Sequence, residues 1–454
     1  EKELKKYPKY KPSGVEWIGE IPQEWEAKRL KYFLTRNDGG VWGDDYDGIQ
    51  KNATKVFRST EINIDGSWNF DEEPALRVLL DHEKEKALLK EGDLLVTKSS
   101  GSQLHIGKTA LVTKRIEEQN CCYSNFMQRL RPFNIEASKF LHIFLNSNLA
   151  RDQYNYLSNS TTGLANLSAG LLNDILLPCQ RTEEQTAIAN FLDEKTVKID
   201  TLIEKKKKLI ELLKEERTAV INQAVTRGIN PKVKLKESGI DWLGLIPEHW
   251  EVKKVGYLSY ITKLTGFEYT QKWETSNDGE IIAIRGYNIR EGFLDISKVE
   301  RISQKLSNEL IRSKLFKNDI VYPCTGTIGN AVLIRENDKY HINQNIAKIT
   351  PKKLIHPRFL LWSLLSFGVK SQIHFNNVSQ MQPVILIGEL RQIKITCPKN
   401  IHEQLQIVQH IETETKRIDG TITKTEKEIE LLAEYRTALI SEVVTGKIDV
   451  SNKV

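Results

Sequence analysis

Apolar residues recur at three- and four-residue steps along two long, proline-free stretches of the chain. In the first, Ile188, Leu192, Ile199, Leu202, Leu209, Leu213 and Val220 share a face. In the second, Ile407, Ile411, Ile418, Ile422, Ile429 and Leu432 do the same, with one four-plus-four step that would shift the seam. This period predicts amphipathic helices that pair through their apolar stripes. A helix of about 40 residues runs roughly 60 Å, too long for one small core to cover, so the natural partner of each stripe is the other. Lys195, Lys206 and Glu216 interrupt the first stripe, and Gly420 costs the second about 1 kcal/mol against alanine.

The two stretches are copies. Glu211–Val220 reads ELLKEERTAV and Glu430–Leu439 reads ELLAEYRTAL, and a constant offset of 219 aligns Ile199-Asp200 with Ile418-Asp419 and Arg217 with Arg436. The duplication extends outward. SGVEWIGEIPQEWEAK (Ser13–Lys28) returns as SGIDWLGLIPEHWEVK (Ser238–Lys253), matching Trp17 with Trp242 and Trp25 with Trp250. Tryptophans and a proline at matched spacing predict a structural clasp that starts each lobe, in preference to base-stacking aromatics. Between clasp and helix, short alternating runs predict strands, among them Lys55–Ile64 and Glu280–Ile289. Two strand–glycine loop–strand units follow, aligning Asp93 with Asp319 and Gly107 with Gly329. Helices are predicted at Phe140–Leu145 and Phe359–Leu365, and closing strands at DILLPC (Asp174–Cys179) and QIKITCP (Gln392–Pro398). The stretches between differ: RNDGGVWGDDYDG and SNSTTGLANLS in the first lobe, TKLTGFEYTQKWETSNDG and HFNNVSQMQPV in the second. A shared scaffold with unlike loops fits two recognition modules with different targets.

The fold class expected is therefore α+β, with two similar α/β domains, two long helices forming a coiled coil, and a pseudo-two-fold internal repeat. The boundaries follow as 1–180, first recognition domain; 181–230, central long helix; 231–400, second recognition domain; and 401–454, C-terminal long helix. No apolar run approaches the roughly 18 residues a membrane span needs, and EKELKKYPKYK at the start has no apolar segment behind its lysines. Five cysteines form no CxxC pair, which points to reduced thiols and a cytoplasmic chain. The net charge of +6 permits nucleic-acid binding without requiring it.

Catalytic motifs are missing from the sequence. GSQLHIGKT (Gly101–Thr109) comes near a phosphate-binding loop, but five residues separate its first glycine from Gly-Lys-Thr instead of four, and the second lobe has no matching lysine. A glycine turn between strands is the better reading. The run Lys205–Lys208 reads as a solvated helix face rather than a DNA patch. No catalytic or metal-binding residue is assigned.

The paired openings WIGEIPQEW and WLGLIPEHW, the strand–glycine loop–strand centres, the lobe-ending prolines and the twin ELLxExRTAxIxxxVT helices resemble the specificity subunit of Type I restriction–modification enzymes over nearly the whole chain. The resemblance implies a non-catalytic subunit whose two domains each read half of a split, asymmetric site in double-stranded DNA. It implies that the two long helices are antiparallel, set the spacer and dock two methyltransferase subunits, with restriction/translocase subunits joining. S-adenosylmethionine, ATP and Mg would then belong to the partners. Loop position and residue type, not the family motif, nominate the DNA contacts. In the first lobe these are Arg36, Arg58, Lys98, Ser99, Lys108, Thr161, Thr162 and Asn166. In the second they are Lys263, Arg285, Tyr287, Asn288, Arg290, Thr325, Asn330, Asn376, Gln380 and Gln382. The alternatives are a self-sufficient DNA methyltransferase or nuclease, and a coiled-coil scaffold that binds only protein.

Overall fold

The structure is a computed structural model that describes residues 5–48, 53–100, 102–157, 165–240, 243–375 and 384–451. The chain divides into two compact units, one of Glu1–Lys206 with Lys427–Val454, the other of Lys207–Glu426. Each unit thus holds one lobe and a stretch of both long helices, Thr182–Arg227 and Ile401–Val444.

The first lobe is framed by β1 (Leu34–Gly39), β2 (Ala53–Phe57), β3 (Ala75–Val78), β4 (Leu94–Thr97), β5 (Thr109–Leu111), β6 (Cys122–Tyr123) and β7 (Met127–Pro132). A four-stranded antiparallel sheet runs β5-β4-β7-β1. A second sheet runs β6-β2-β3, with β6 parallel to β2 and the short strand Asp44–Asp45 added beyond β3. The second lobe repeats this with β8 (Ser259–Lys263), β9 (Ile281–Ile284), β10 (Glu300–Ile302), β11 (Ile320–Pro323), β12 (Val332–Leu333), β13 (Tyr340–Ile342) and β14 (Ile346–Pro351). Its sheets run β12-β11-β14-β8 and β13-β9-β10, again with one parallel pair, β13 beside β9. The two lobes have one fold. Asp93 and Asp319, matched in the sequence, are both buried, and each accepts a backbone N–H three residues back, from Lys90 at 2.9 Å and Phe316 at 2.8 Å. They close the turn before β4 and before β11.

The tryptophans are clasps. Trp25 and Trp250 are fully buried, and their indole N–H groups donate to the glutamates that open the long helices, Trp25 to Glu184 at 3.1 Å and Trp250 to Glu403 at 2.8 Å. Each ring also meets the far end of the other long helix. A Cβ on Gly446 would lie 2.9 Å from the Trp25 ring, and one on Gly228 would lie 3.2 Å from Trp250. Both glycines have positive φ, the left-handed turn that ends a helix. Trp17 is partly exposed, and its repeat mate Trp242 lies outside the described residues.

Within the first unit, Ile188, Leu192 and Ile199 join Leu439, Val443 and Val444 in the lobe's core. Asp200 pairs with Arg436 at 2.9 Å and Lys206 with Glu428 at 2.5 Å, so the helices run antiparallel. Within the second unit, Ile221, Ala224 and Val225 pack with Ile407, Val408 and Ile411. There Arg217 pairs with Asp419 at 3.0 Å and Glu216 with Arg417 at 2.7 Å. Arg217–Asp419 and Arg436–Asp200 are the same contact made once by each half of the repeat.

The seam differs from the expected stripe in one respect. Leu202 and Leu209 are each 42% exposed, whereas Leu213 is 7% exposed. Inward positions on the first helix step by alternating fours and threes: Leu192, Thr196, Ile199, Ile203 and Lys206 in the first unit, then Ile210, Leu213, Arg217, Val220 and Ala224 in the second. After Ile199 the seam moves on by four, to Ile203, not by three. Lys206 therefore belongs to the seam instead of interrupting it, with its ammonium on Glu428. On the second helix, buried Thr415 and Thr425 fill the places where an apolar stripe would skip, and the four-plus-four step falls at Ile407, Ile411 and Thr415. Their hydroxyls donate to Ile411 O at 2.7 Å and Thr421 O at 2.8 Å, which makes their burial affordable. Gly420 faces solvent and the helix continues through it.

Leu213→Ala is expected to cost about 2–5 kcal/mol of stability, and Leu202→Ala within about 0.5 kcal/mol. Urea denaturation of the two variants compares them, and equal losses would contradict this seam. Trp250→Phe, which leaves the Glu403 carboxylate without its indole donor, should cost about 1–3 kcal/mol by the same measurement.

Candidate nucleic-acid interface

Sheet registers decide where the unlike loops go. Gly39 at the end of β1 faces Gln128 near the start of β7, and Thr97 at the end of β4 faces Met127. The loops after β1, after β4 and before β7 therefore leave the sheet at one end. In the second lobe Lys263 faces Ala347 and Pro323 faces Ile346, so the corresponding loops leave at the same end. The segments that differ most between the lobes gather there. The opposite end carries the turns closed by Asp93 and Asp319, which the lobes share.

A strand bridge extends this variable end in both lobes. Ser99 pairs with Asn166 and Ser100 with Ala165 in the first, and Thr325 pairs with Val384 in the second. The bonds around them correspond: Leu167 N to Lys98 O at 2.7 Å and Ile385 N to Cys324 O at 2.9 Å, then Lys98 N to Phe126 O at 3.1 Å and Cys324 N to Asn345 O at 2.8 Å. Residues 158–164 and 376–383 precede the bridge in the sequence. Thr161, Thr162, Asn376, Gln380 and Gln382 fall in them and lie outside the described residues.

Lys98, Ser99, Asn166, Lys263 and Thr325 are brought together at this end, one group per lobe. Lys98 Nζ would be 3.3 Å from a Cβ on Gly39, so the missing side chain there makes room for the ammonium. In the second lobe the register exchanges the two: Lys263 occupies the place of Gly39 and Cys324 that of Lys98. Burial pushes the Cys324 thiol up to about 11, with Lys263 pulling the other way. Each lobe thus offers a lysine at this end of the sheet, from different strands. Phe126, whose carbonyl accepts from Lys98 N, is exposed before β7, and Phe267 is exposed in the short helix Gly266–Lys272 after β8.

Other nominated residues serve the frame. Lys108 is 4% exposed and donates from Nζ to Ser59 O at 2.7 Å and Ile62 O at 2.6 Å. Burial lowers its pKa, against the pull of Glu61. Its counterpart Asn330 donates to Ile289 O at 3.1 Å, the matching carbonyl of the second lobe. The near-phosphate loop is thus a strut, and a Cβ on Gly107 would strike the Tyr154 ring at 2.3 Å. Asn288 is 2% exposed, accepts from Arg285 N at 3.0 Å and donates to Asp295 O and Lys298 O, both at 2.8 Å. These contacts withdraw Lys108 and Asn288 from any external ligand. Arg58 is bound to Glu61 at 2.7 Å, Arg285 to Glu300 at 2.7 Å and Arg290 to Asp295 at 3.4 Å. Arg36 is exposed, 3.9 Å from Asp38, and Tyr287 is exposed.

Sequence reasoning passed over the residues that carry the lobes on the helices. Glu291 takes Arg217 at 2.9 Å and Lys370 at 3.2 Å, and although burial raises its pKa, the two cations outweigh that and hold it low. In the first unit Arg436 lines a cavity of about 590 Å³ with Asp65, His142, Arg151, Asp193 and Thr196. Burial lowers the His142 pKa, keeping its ring neutral. The signal in the sequence is an acidic residue in the corresponding loop of each lobe, Asp65 and Glu291, set against the matched helix arginines Arg436 and Arg217. Among the described residues no group of three or more His, Cys, Asp or Glu is placed to hold a metal, and no helix is long and apolar enough to cross a membrane.

Comparisons with known proteins agree with this two-part plan. The chain is 28% identical to the Type I restriction enzyme EcoBI specificity subunit of Escherichia coli over 56% of this chain, spanning about half (54%) of that protein. It is 23% identical to the Type I restriction enzyme MjaVIII specificity subunit of Methanocaldococcus jannaschii over 95% of each chain. Among solved structures, a chain from work on complex assembly and conformational transition of the type I R-M system shares the fold with a TM-score of 0.70 at 13% identity, over 93% of this chain and 98% of that one. The HsdS subunit from Thermoanaerobacter tengcongensis gives 0.58 at 12% identity, over 94% and 98%. The family model described as Type I restriction modification DNA specificity domain matches twice, at residues 22–212 and 247–431, so the chain belongs to that family.

Proposed function

We propose that this chain is the DNA-specificity subunit of a Type I restriction–modification complex, each lobe reading one half of a bipartite, asymmetric site. The observation that carries the reading is the pairing of one lobe fold, used twice, with unlike loops gathered at the same end of each sheet. Those loops meet base edges in the major groove, and lysines and arginines on phosphates fix the register. The long helices set the spacer and dock two methyltransferase subunits, with restriction/translocase subunits joining the assembly. Leu202 in the first unit, and Leu209 and Leu212 in the second, are exposed and give the first helix apolar contacts for such partners. The chain itself performs no catalysis, S-adenosylmethionine, ATP and Mg act in the partner subunits, and the complex works in the cytoplasm.

Co-expression with its methyltransferase partner, followed by methylome sequencing, should give one split motif with unlike halves. A chain that neither directs methylation nor binds DNA with that partner present would be a protein scaffold instead. The two lysines separate contact from frame. Lys98→Ala should reduce the salt dependence of DNA binding by about one phosphate contact, a change of roughly 0.9 in the log–log slope, without loss of stability. Lys108→Ala should leave the carbonyls of Ser59 and Ile62 unpartnered and cost about 1–3 kcal/mol in denaturation. The opposite assignment of effects would reject this division of roles.

A further inference from the structure

At the strand bridge of the variable end the two lobes present matching backbone with opposite side-chain chemistry. In the first lobe its outward residue is Asn166, which is exposed. Ser99 across the bridge donates from Oγ to Asn166 Oδ1 at 2.9 Å, fixing which way the amide points. That bond uses one lone pair of the oxygen and leaves the second, with both N–H donors, for a ligand. The backbone behind it is rigid. Leu167 is fully buried and bonded to Lys98 O, and Ser168 caps the next helix by accepting from Leu171 N at 3.2 Å. Asn37 on β1 then ties the helix down through Ala169 O at 2.9 Å and Asn173 Oδ1 at 2.8 Å. A side chain held this way reaches a ligand without paying again for its own ordering.

In the second lobe the corresponding pair is Thr325 and Val384, both half-buried. The amide is replaced by an isopropyl group, and the position opposite offers a methyl beside its hydroxyl. The bonds from Ile385 N to Cys324 O and Leu167 N to Lys98 O show that the backbones correspond, so the change lies in the side chains alone.

We propose that this bridge is a base-reading position in each lobe, and that the two copies read different bases by different chemistry. Asn166, steadied by Ser99, reads an adenine in the first half-site, its amide oxygen accepting from N6 and its amide nitrogen donating to N7. Val384 and Thr325 read a thymine in the second half-site through contact with the 5-methyl group. Both pairings are those the major-groove edges of A and T allow to an amide and to an aliphatic group. The inference rests on the specificity-subunit reading above.

The test is competition binding by the complete methyltransferase complex, using duplexes that carry each base pair in turn at every motif position. Asn166→Ala, an exposed substitution expected to leave melting unchanged, should lower the preference for adenine at one position of one half-site by about ten- to a hundredfold. Ser99→Ala should weaken the same preference less. Val384→Ala should act only on the other half-site, where replacing one thymine by uracil should already weaken wild-type binding and no longer affect the variant. Unchanged preference at every position in a normally folded Asn166→Ala complex would overturn the proposal while leaving the specificity-subunit reading intact. Wild-type complex with no bipartite preference would defeat that reading itself.

Discussion

An indole N–H bonded to a carboxylate heads each long helix, Trp25 to Glu184 and Trp250 to Glu403. Much of the remaining architecture follows from the need to bury the indole ring while its N–H keeps that partner. The tryptophan belongs to a lobe, the glutamate to the helix that follows it in sequence, and the glycine closing over the ring to the end of the other helix. No single repeat supplies all three. The clasp is therefore completed only when two antiparallel helices share a lobe, and the matched ion pairs Arg436–Asp200 and Arg217–Asp419 fix the register at which they do so. Those pairs are partly exposed and contribute little energy individually. Their value lies in registry: sliding one helix along the other would separate both partners.

Duplication also separates what must stay from what can change. Contacts repeated in both lobes hold the frame: Asp93 and Asp319 closing turns, Lys108 and Asn330 tying the glycine loop to the carbonyls of Ile62 and Ile289. Where the lobes differ, as at Lys98 and Lys263, similar charge is reached from different strands. A residue type can move between strands at the variable end because register, not side-chain packing, determines what faces what. At the frame end it cannot, because buried donors and acceptors must find partners.

The duplication, the helices, the strand–loop–strand units and the closing strands were legible because each depends on a local period or on repetition within the chain. The seam was less so. Counting only apolar residues placed Leu202 and Leu209 inside and left Lys206 as an interruption, because threonine and lysine do not register as seam residues. Helical backbone carbonyls satisfy the threonine hydroxyls, and Glu428 satisfies the lysine, so their burial is a tertiary fact. Lys108 misled for the same reason: a lysine beside a loop glycine reads as an outward cation until two carbonyls are found beneath it. The grouping of Lys98, Ser99 and Asn166 could be nominated from loop position, but only strand register brings them to one end of the sheet.

The shared core of the first unit has a consequence for biosynthesis. Leu439, Val443, Val444, Ile448 and Val450 are buried with Trp25 and Leu30 in one cluster, whereas the second unit is a single continuous run from Lys207 to Glu426. A nascent chain can therefore close the later-coded unit while the earlier-coded one still waits for residues 260 or more positions downstream of its own lobe's last strand, Leu176–Cys179. Folding on the ribosome would then proceed out of sequence order, leaving the first lobe's apolar patch as a substrate for chaperones through most of translation.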